Sequence, residues 1–334
     1  MALLARLFAF RMPSLVSSFS AAFLFVFLPL CLILMALLPS RAKKYGLLLL
    51  SIGFSWLIGG PLVLWLLFSV ALAFGFGLWL ESVRKKQEAA LKETPKEQKK
   101  EVKRRWLKRS RRILALGLFL DLGALIGLKY TPFILENVNR LSQAIGGRAL
   151  VSLPHILIPL GISFYSMQCA AYLFDVYRGS ISADRNPFRL ALFMTYFPQI
   201  AEGPICRYQQ TAQALWNIGP IRFENLTHGL QRILYGMMKK LVVADRLNPF
   251  VSAVFTDYAS YPGGVAALGA LAYTVQLYMD FSGAMDVALG LSQILGVTLP
   301  ENFRRPFFSR SVSEFWTAGI SAWGPGSGII CFIL

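Results

Sequence analysis

Long apolar stretches separated by short charged ones dominate the chain from residue 19 onward. Most of these stretches approach or exceed the roughly 20 residues that an α-helix needs to cross a bilayer. The pattern predicts an all-α polytopic membrane protein with about eight or nine membrane-associated helices. The stretches are residues 19–38, 45–80, 113–134, 151–174, 190–205, 226–247, 249–279 and 280–299.

Several stretches contain helix-breaking residues. Gly59, Gly60 and Pro61 interrupt the second one, which favours two short helices in a hairpin or re-entrant pair. Residues 226–247 are amphipathic, which is typical of a helix at the membrane interface or packed in a bundle. Because broken helices at membrane depth are tolerated only inside protein or beside a cavity, the sequence predicts a central funnel rather than a plain bundle.

Composition agrees with a membrane protein. Hydrophobic residues make up 55% of the 334 residues, the mean hydropathy is +0.53, and charged residues make up only 15%. That is too little polar surface to cover a water-soluble globule, whose charged fraction is about 25%. The net charge of +17 could indicate nucleic-acid binding in a soluble protein. In a membrane protein it indicates basic cytoplasmic loops, so no nucleic-acid partner is expected.

Residues 81–112 carry over half of the excess charge. They contain 14 Lys or Arg and 5 Glu, a net charge of +9. The interleaved charges predict a solvated helical loop that faces the cytoplasm, with anionic membrane lipids as natural partners. The expected location is therefore the bacterial cytoplasmic (inner) membrane, crossed several times.

Few residues in the chain could hold a metal ion. The four cysteines are scattered without metal-type spacing and are expected to be apolar packing residues: Cys31, Cys169, Cys206 and Cys331. The two histidines, His155 and His228, are interpreted as interfacial packing residues rather than catalytic ones. No metal site and no bound cofactor are expected.

Ionisable residues inside apolar stretches are costly, so each is a candidate for function. Tyr278, Asp280, Ser282 and Asp286 could face one cavity, and a functional interpretation is favoured for them. Glu202 lies beside a Gly-Pro break with Arg207 in reach, which suggests a buried ion pair whose role could be structural or functional. A further cluster at a helix end is interpreted as an interfacial anchor: Tyr172, Asp175, Tyr177 and Arg178.

A series of short motifs follows in order along the chain. They are Pro159–Tyr165, Tyr172–Gly179, Tyr196–Gln199, Gly203–Tyr208, Gly236–Lys240, Ala244–Arg246, Asp280–Gly283, Pro300–Phe303, Arg305–Phe307 and Ser311–Trp316. Each motif is weak alone, but in this order and spacing they resemble the membrane-bound O-acyltransferase family, specifically its bacterial alginate O-acetyltransferase branch. The resemblance spans about residues 15 to 316.

The resemblance implies a many-helix acyltransferase with a central funnel. Residues 19–316 would form the N-terminal two-thirds of its domain, and 1–18 a lead whose first eleven residues are extra. The acyl donor would be a cytoplasmic thioester, acetyl-CoA or an acyl carrier protein, and the acceptor an envelope polysaccharide or a secreted partner protein. The motifs add four funnel-lining candidates to Tyr278, Asp280, Ser282 and Asp286: Asn302, Arg305, Glu314 and Trp316.

The family's chemistry needs a histidine as general base to activate a hydroxyl. The resemblance places one histidine just after Trp316 and a better catalytic candidate further downstream. Residues 317–334 match neither, so no catalytic residue is assigned, and the 334-residue product is expected to be inactive.

The tail itself suggests a cause. Back-translated with free third bases and read one frame over, Thr317 to Leu334 can encode a family-like run that begins Arg-Arg-His-Ile-Ser, with the histidine codon straddling Gly319 and Ile320. We therefore expect a frameshift near Trp316, natural or from sequencing, with a genuinely shorter protein as the alternative. For function, the alternative class is a non-catalytic membrane transporter or scaffold, which would also suit broken helices and buried acids.

Overall fold

The structure of the protein is a computed structural model that describes residues 17–146 and 157–319, apart from the side chains of residues 201–202 and 316–319. This part of the chain is helical and contains no strand, so the all-α prediction is confirmed. In chain order the α-helices are α1 (Leu28–Leu37), α2 (Ser40–Gly59), α3 (Val63–Glu93), α4 (Lys99–Lys129), α5 (Thr131–Ala144), α6 (Ile162–Arg178), α7 (Pro187–Thr195), α8 (Phe197–Glu202), α9 (Tyr208–Trp216), α10 (Phe223–Met237), α11 (Asp245–Thr256), α12 (Gly263–Ile294) and α13 (Val312–Gly319).

Short π-helical and 3-10 segments connect some of these helices. A π-helical segment at Phe23–Phe27 precedes α1, and a second one at Met238–Ala244 joins α10 to α11 without a break. The 3-10 turns are Gly60–Leu62, Tyr258–Ser260 and Pro306–Phe308.

Contacts divide the chain into two compact units. The described part of the first unit is Ser51–Thr195 with Arg207–Gln209, and that of the second is residues 17–50, Tyr196–Cys206 and residues 210–319.

In the first unit, the hairpin of α3 and α4 packs against α6. Close contacts explain two small residues: a Cβ on Gly77 would lie 2.9 Å from the Tyr172 ring, and one on Gly117 would lie 3.0 Å from the Phe76 ring. The ends of α6 lie beside Gly161 and Gly179, whose positive φ angles of 69° and 76° favour glycine.

In the second unit, α10 crosses α12 in an antiparallel direction at two pairs of glycines. A Cβ on Gly236 would lie 2.5 Å from the carbonyl oxygen of Gly283, and one on Gly290 would lie 2.6 Å from that of Gly229. Both helices repeat the glycine after seven residues, which is about two helical turns. The two backbones therefore touch directly along one face of each helix.

Long apolar helices are fewer than the sequence predicted. Among the described residues, one continuous helical run, Ser40–Glu93, is long and apolar enough to cross a membrane, and α4 with α5 passes the same test as a pair bent by 58°. The predicted count of eight or nine membrane-associated helices is not confirmed.

Three local predictions were wrong. Gly59, Gly60 and Pro61 form one 3-10 turn inside the run from Ser40 to Glu93 rather than a hairpin, because proline at the start of a helical turn lacks only an N–H that would be unbonded there. Residues 135–144, predicted to be in a loop, continue α5, where Glu136 and Arg140 form a pair at 2.6 Å.

The third error concerns α12. The sequence divided this region at Asp280, yet the helix continues through it, and the break lies at residues 257–262. Asp280 is tolerated inside the helix because its carboxylate pairs with Lys240 at 2.8 Å.

Substitution of Gly290 by alanine tests the glycine crossing. We expect Gly290→Ala to destabilise the protein by about 1–3 kcal/mol, because the added Cβ has no space and the helices must separate. Gly75→Ala is the matched control: no atom lies within 4 Å of its Cβ position, so helix propensity alone predicts an unchanged or slightly raised stability. Denaturant unfolding in detergent measures both. Equal stability of the two variants would contradict the close contact.

Candidate functional site

The glycine crossing brings charged side chains of α10 and its π-helical extension to α12. Lys239 Nζ lies 2.6 Å from Asp286 Oδ2, and Arg232 donates from Nε and Nη2 to Asp286 Oδ1 at 3.2 and 3.1 Å. Asp286 is 7% exposed and Lys239 is 9% exposed. A buried carboxylate thus receives two cations, and such charges are stable in a protein interior only when paired in this way.

Glu301 completes this group, which we call the charged cluster: Arg232, Lys239, Asp286 and Glu301. Arg232 binds both carboxylate oxygens of Glu301 in a bidentate manner, at 2.6 and 2.7 Å. The cluster contains two cations and two anions and is formally neutral. It ties α10 and α12 to the segment that follows α12.

A second, more exposed pairing lies beside the cluster. Lys240 contacts Asp280 at 2.8 Å and Asp245 at 3.0 Å. Adjacent residues of a regular α-helix point about 100° apart. Here Lys239 and Lys240 both belong to the π-helical segment and both reach α12, and π-helical insertions are frequent at functional sites.

Aromatic side chains surround Tyr278 on α12. Its ring packs edge-on against Phe303 and Phe307, with centroids 5.5 and 5.1 Å away. Phe303 also contacts Phe281, and Phe307 contacts Phe315. The segment after α12 is therefore held on this helix by ring contacts as well as by Glu301.

Backbone geometry marks the same segment. Arg305 has a φ of 54°, the one positive φ of a non-glycine residue in the described ranges, and it directly precedes Pro306. This conformation is costly for a residue with a Cβ and is disfavoured before proline. Such strain persists only where surrounding contacts impose it, and it is concentrated at functional sites.

The predicted site residues are distributed around α12. Asp286 belongs to the charged cluster, Asp280 pairs with Lys240, Tyr278 lies among the aromatic rings, and Ser282 is buried with its hydroxyl unpaired among the described residues. Asp280 and Asp286 are linked through the neighbouring Lys240 and Lys239.

Four further candidates follow α12. Asn302 is buried and Arg305 is exposed. Glu314 is exposed and caps α13: its backbone N–H donates to the Ser311 hydroxyl, and its carboxylate accepts from the backbone N–H of Arg310. The side chain of Trp316 lies outside the described residues.

The predicted pair of Glu202 and Arg207 stays a prediction, because the Glu202 side chain lies outside the described part. Arg207 contacts Asp175 at 3.4 Å. His155 also lies outside the described residues, and His228 is exposed on α10.

The sequence analysis missed Arg232 entirely. A usable signal was present, because Gly229, Arg232, Gly236 and Lys239 recur every three or four residues and therefore share one helix face. It also missed Asp184 in the first unit, whose buried carboxylate accepts from Arg189 at 2.6 and 2.7 Å and from the Tyr208 hydroxyl.

Asp184 has a structural role. Burial by itself would raise the pKa of its carboxyl group, but hydrogen bonds from Arg189 and Tyr208 outweigh burial and lower it. Together with Tyr172, whose hydroxyl accepts from the backbone N–H of Asp184 at 2.8 Å, this network holds the loop after α6. The predicted anchor role of Tyr172 is compatible with this contact.

No metal site is present among the residues that the structure describes: nowhere do three or more His, Cys, Asp or Glu side chains come close enough to share an ion. The cysteines within these ranges, Cys31, Cys169 and Cys206, are buried and free.

Comparison with known proteins identifies homologues, although no family model matches the chain. The probable alginate O-acetylase AlgI of Pseudomonas syringae pv. tomato is 35% identical over 309 residues, 89% of this chain and 53% of the relative. The peptidoglycan O-acetyltransferase of Helicobacter pylori is 31% identical, over 61% of this chain and 42% of the relative. The teichoic acid D-alanyltransferase of Bacillus subtilis is 29% identical, over 49% and 42%.

These proteins share a class: each is named as an acyltransferase, and their acceptors are named as polymers of the cell envelope. The chain is a homologue of these acyltransferases, and its resemblance to the membrane-bound O-acyltransferase family, alginate O-acetyltransferase branch, is confirmed. The chain spans about half the length of the curated relatives it matches.

Asp286→Asn tests the charged cluster. We expect the variant to lose about 3–5 kcal/mol of stability, because Lys239 then stays buried without its anion. The double variant Lys239→Met with Asp286→Asn should recover part of this loss. The control is Asp245→Asn, which removes an exposed partner of Lys240 and should cost at most about 1 kcal/mol. Unfolding in detergent gives the values, and a loss in Asp286→Asn no larger than in the control would contradict the assignment.

Asp184→Asn tests the network in the first unit by its pH dependence. Because the folded-state pKa of Asp184 is lowered, its stabilising contribution is fully present above the ordinary aspartate pKa of about 3.9 and is lost as the pH falls through the lower folded-state value. The wild-type chain should therefore unfold at a higher temperature than Asp184→Asn at pH 7, and the difference should shrink toward pH 3. A difference that does not depend on pH would argue against a charged Asp184.

Proposed function

We propose that the protein is a membrane-bound O-acyltransferase, in all expectation an O-acetyltransferase, that modifies a cell-envelope polysaccharide. The observation that carries this proposal is the homology to probable alginate O-acetylases over 89% of the chain. It is supported by the position of the matched motifs, because Gly236–Lys240, Asp280–Gly283 and Pro300–Phe303 meet at the glycine crossing and its charged cluster.

In the proposed reaction, a hydroxyl of the acceptor attacks the acyl carbon of a thioester. The new ester C–O bond forms, the C–S bond breaks, the hydroxyl proton passes to a general base, and the thiol leaves. The donor would be acetyl-CoA or an acyl carrier protein on the cytoplasmic side of the bacterial inner membrane. Acceptors would be an envelope polysaccharide or a secreted acyltransferase partner.

The described residues would supply the scaffold and a wall of the funnel. Asp286 is proposed to orient Lys239, and the Glu301 contact would hold Asn302 and Arg305 beside α12. We assign the general base to none of the described residues. The family resemblance places it in a histidine beyond Trp316, where this chain has a different sequence, so the 334-residue product is proposed to be inactive.

The test compares the 334-residue chain with a version in which the reading frame is restored after Trp316. Both are expressed in a bacterium that makes an acetylatable exopolysaccharide, and labelled acetate is followed into the polymer. We expect label with the restored version and none with the 334-residue chain. Activity in the 334-residue chain would refute the need for the missing histidines, and an inactive restored version would favour a non-catalytic transporter or scaffold.

The charged cluster is tested in the same assay. Lys239→Met in the restored version should reduce the label at least about tenfold, because Asp286 and Glu301 then lose a common partner for the site. Gly75→Ala is the control and should keep its activity.

A further inference from the structure

The basic charge of residues 81–112 lies almost entirely on one helix. The end of α3, residues 81–93, contains four Lys or Arg and three Glu, a net charge of +1. The start of α4, residues 99–112, contains nine Lys or Arg and a single Glu, a net charge of +8. On α3 the charges are compensated at short range, for example Lys85 with Glu81 at 2.5 Å. The α4 arm, residues 99–112, has one such pair, Arg105 with Glu101.

The cations of the α4 arm fall into two sets of four. The inner set adjoins the apolar part of α4 and consists of Lys108, Arg109, Arg111 and Arg112. The outer set lies toward the hairpin tip and consists of Lys99, Lys100, Lys103 and Arg104. All eight side chains are exposed. Within the described ranges, no carboxylate lies within ion-pair distance of the outer set.

Helix geometry separates the two sets in depth. The apolar part of α4 begins at Ile113. At 1.5 Å per residue the inner set lies within about 8 Å of that boundary, and the outer set lies about 14–21 Å beyond it. The headgroup layer is only about 5–8 Å thick on each side of a bilayer. Even with a helix tilt of about 40°, Arg104 would stay about 10 Å outside the apolar boundary.

The inner set therefore suits anionic lipid headgroups, as polybasic segments next to a membrane do. The outer set lies beyond the headgroups, in water, where attraction to the membrane surface decays over a Debye length of about 8–10 Å. Its four cations form two neighbouring i, i+4 rows on a convex helix surface. A convex surface offers no pocket that could bury a small ligand such as a nucleotide.

We propose that the outer set of the α4 arm docks an acidic, water-soluble protein that carries the acyl thioester. The four cations would meet carboxylates of this carrier protein, and half-buried Trp106 with exposed Leu107 would add an apolar contact beside them. The identity of the cargo rests on the proposed acyltransferase function, whereas the docking itself rests on charge, exposure and geometry.

Two matched variants separate the carrier protein from lipid. In the outer variant, Lys99→Gln, Lys100→Gln, Lys103→Gln and Arg104→Gln are combined. In the inner variant, Lys108→Gln, Arg109→Gln, Arg111→Gln and Arg112→Gln are combined. Both lose four positive charges from the same helix, so they change the net charge of the protein equally.

Binding is measured with the full chain in nanodiscs of zwitterionic phosphatidylcholine. The probe is a purified bacterial acyl carrier protein in its phosphopantetheine-bearing form, at low salt. We expect the outer variant to bind it at least about tenfold more weakly and the inner variant to bind within about threefold of wild type, because four exposed pairs act together. Binding should weaken as salt is added. For anionic vesicles of phosphatidylglycerol the order of the two variants should reverse.

Each contrary result overturns the proposal. If the wild-type chain does not bind the carrier protein, or if both variants lose binding equally, the outer set is not a protein docking site. If the outer variant loses binding to the anionic vesicles, the arm is a lipid anchor along its whole length. If coenzyme A alone displaces the carrier protein from wild type at micromolar concentration, the site recognises the nucleotide. Since no acyl transfer is involved, an inactive enzyme does not affect this result.

Discussion

The direct contact of two helix backbones at paired glycines is the constraint on which the second unit depends. Gly229 faces Gly290 and Gly236 faces Gly283, and a methyl group at any of the four positions would overlap a carbonyl oxygen. In lipid, where the hydrophobic effect does not drive helices together, close packing of small residues is a main source of attraction between helices. The seven-residue repeat in both sequences sets the register, so every other contact between α10 and α12 follows from it.

The charged cluster is a consequence of that register. Arg232 and Lys239 lie on the glycine face of α10 and its extension, and Asp286 lies between the two glycines of α12. Bringing charges out of water is costly, and the cost is offset only when donors and acceptors meet at short distance. The glycines allow that distance. Through Arg232 the cluster then holds Glu301, and with it the strained segment around Arg305 that leads to α13.

Much of this could be predicted from the sequence, but not the pairing. Apolar periodicity predicted helices, and the cost of intramembrane charge identified Asp280 and Asp286 as candidates. Which cations they meet depends on the crossing of two helices some fifty residues apart, which no local pattern contains. Arg232 was missed for this reason, although its spacing from Gly229 and Gly236 placed it on the packed face. Gly59 to Pro61 was misjudged because a glycine-proline pair can also continue a helical run through one tighter turn.

The most direct measurement of this dependence is a double-mutant cycle between Gly236 and Asp286, with unfolding free energies in detergent for wild type, Gly236→Ala, Asp286→Asn and the combined variant. If the close approach of the backbones makes the ion pairs possible, Asp286→Asn should cost less when Gly236→Ala has already separated the helices, with a coupling free energy above about 1 kcal/mol. Additivity within about 0.5 kcal/mol would contradict the account, because the charged cluster would then be stable independently of the glycine crossing.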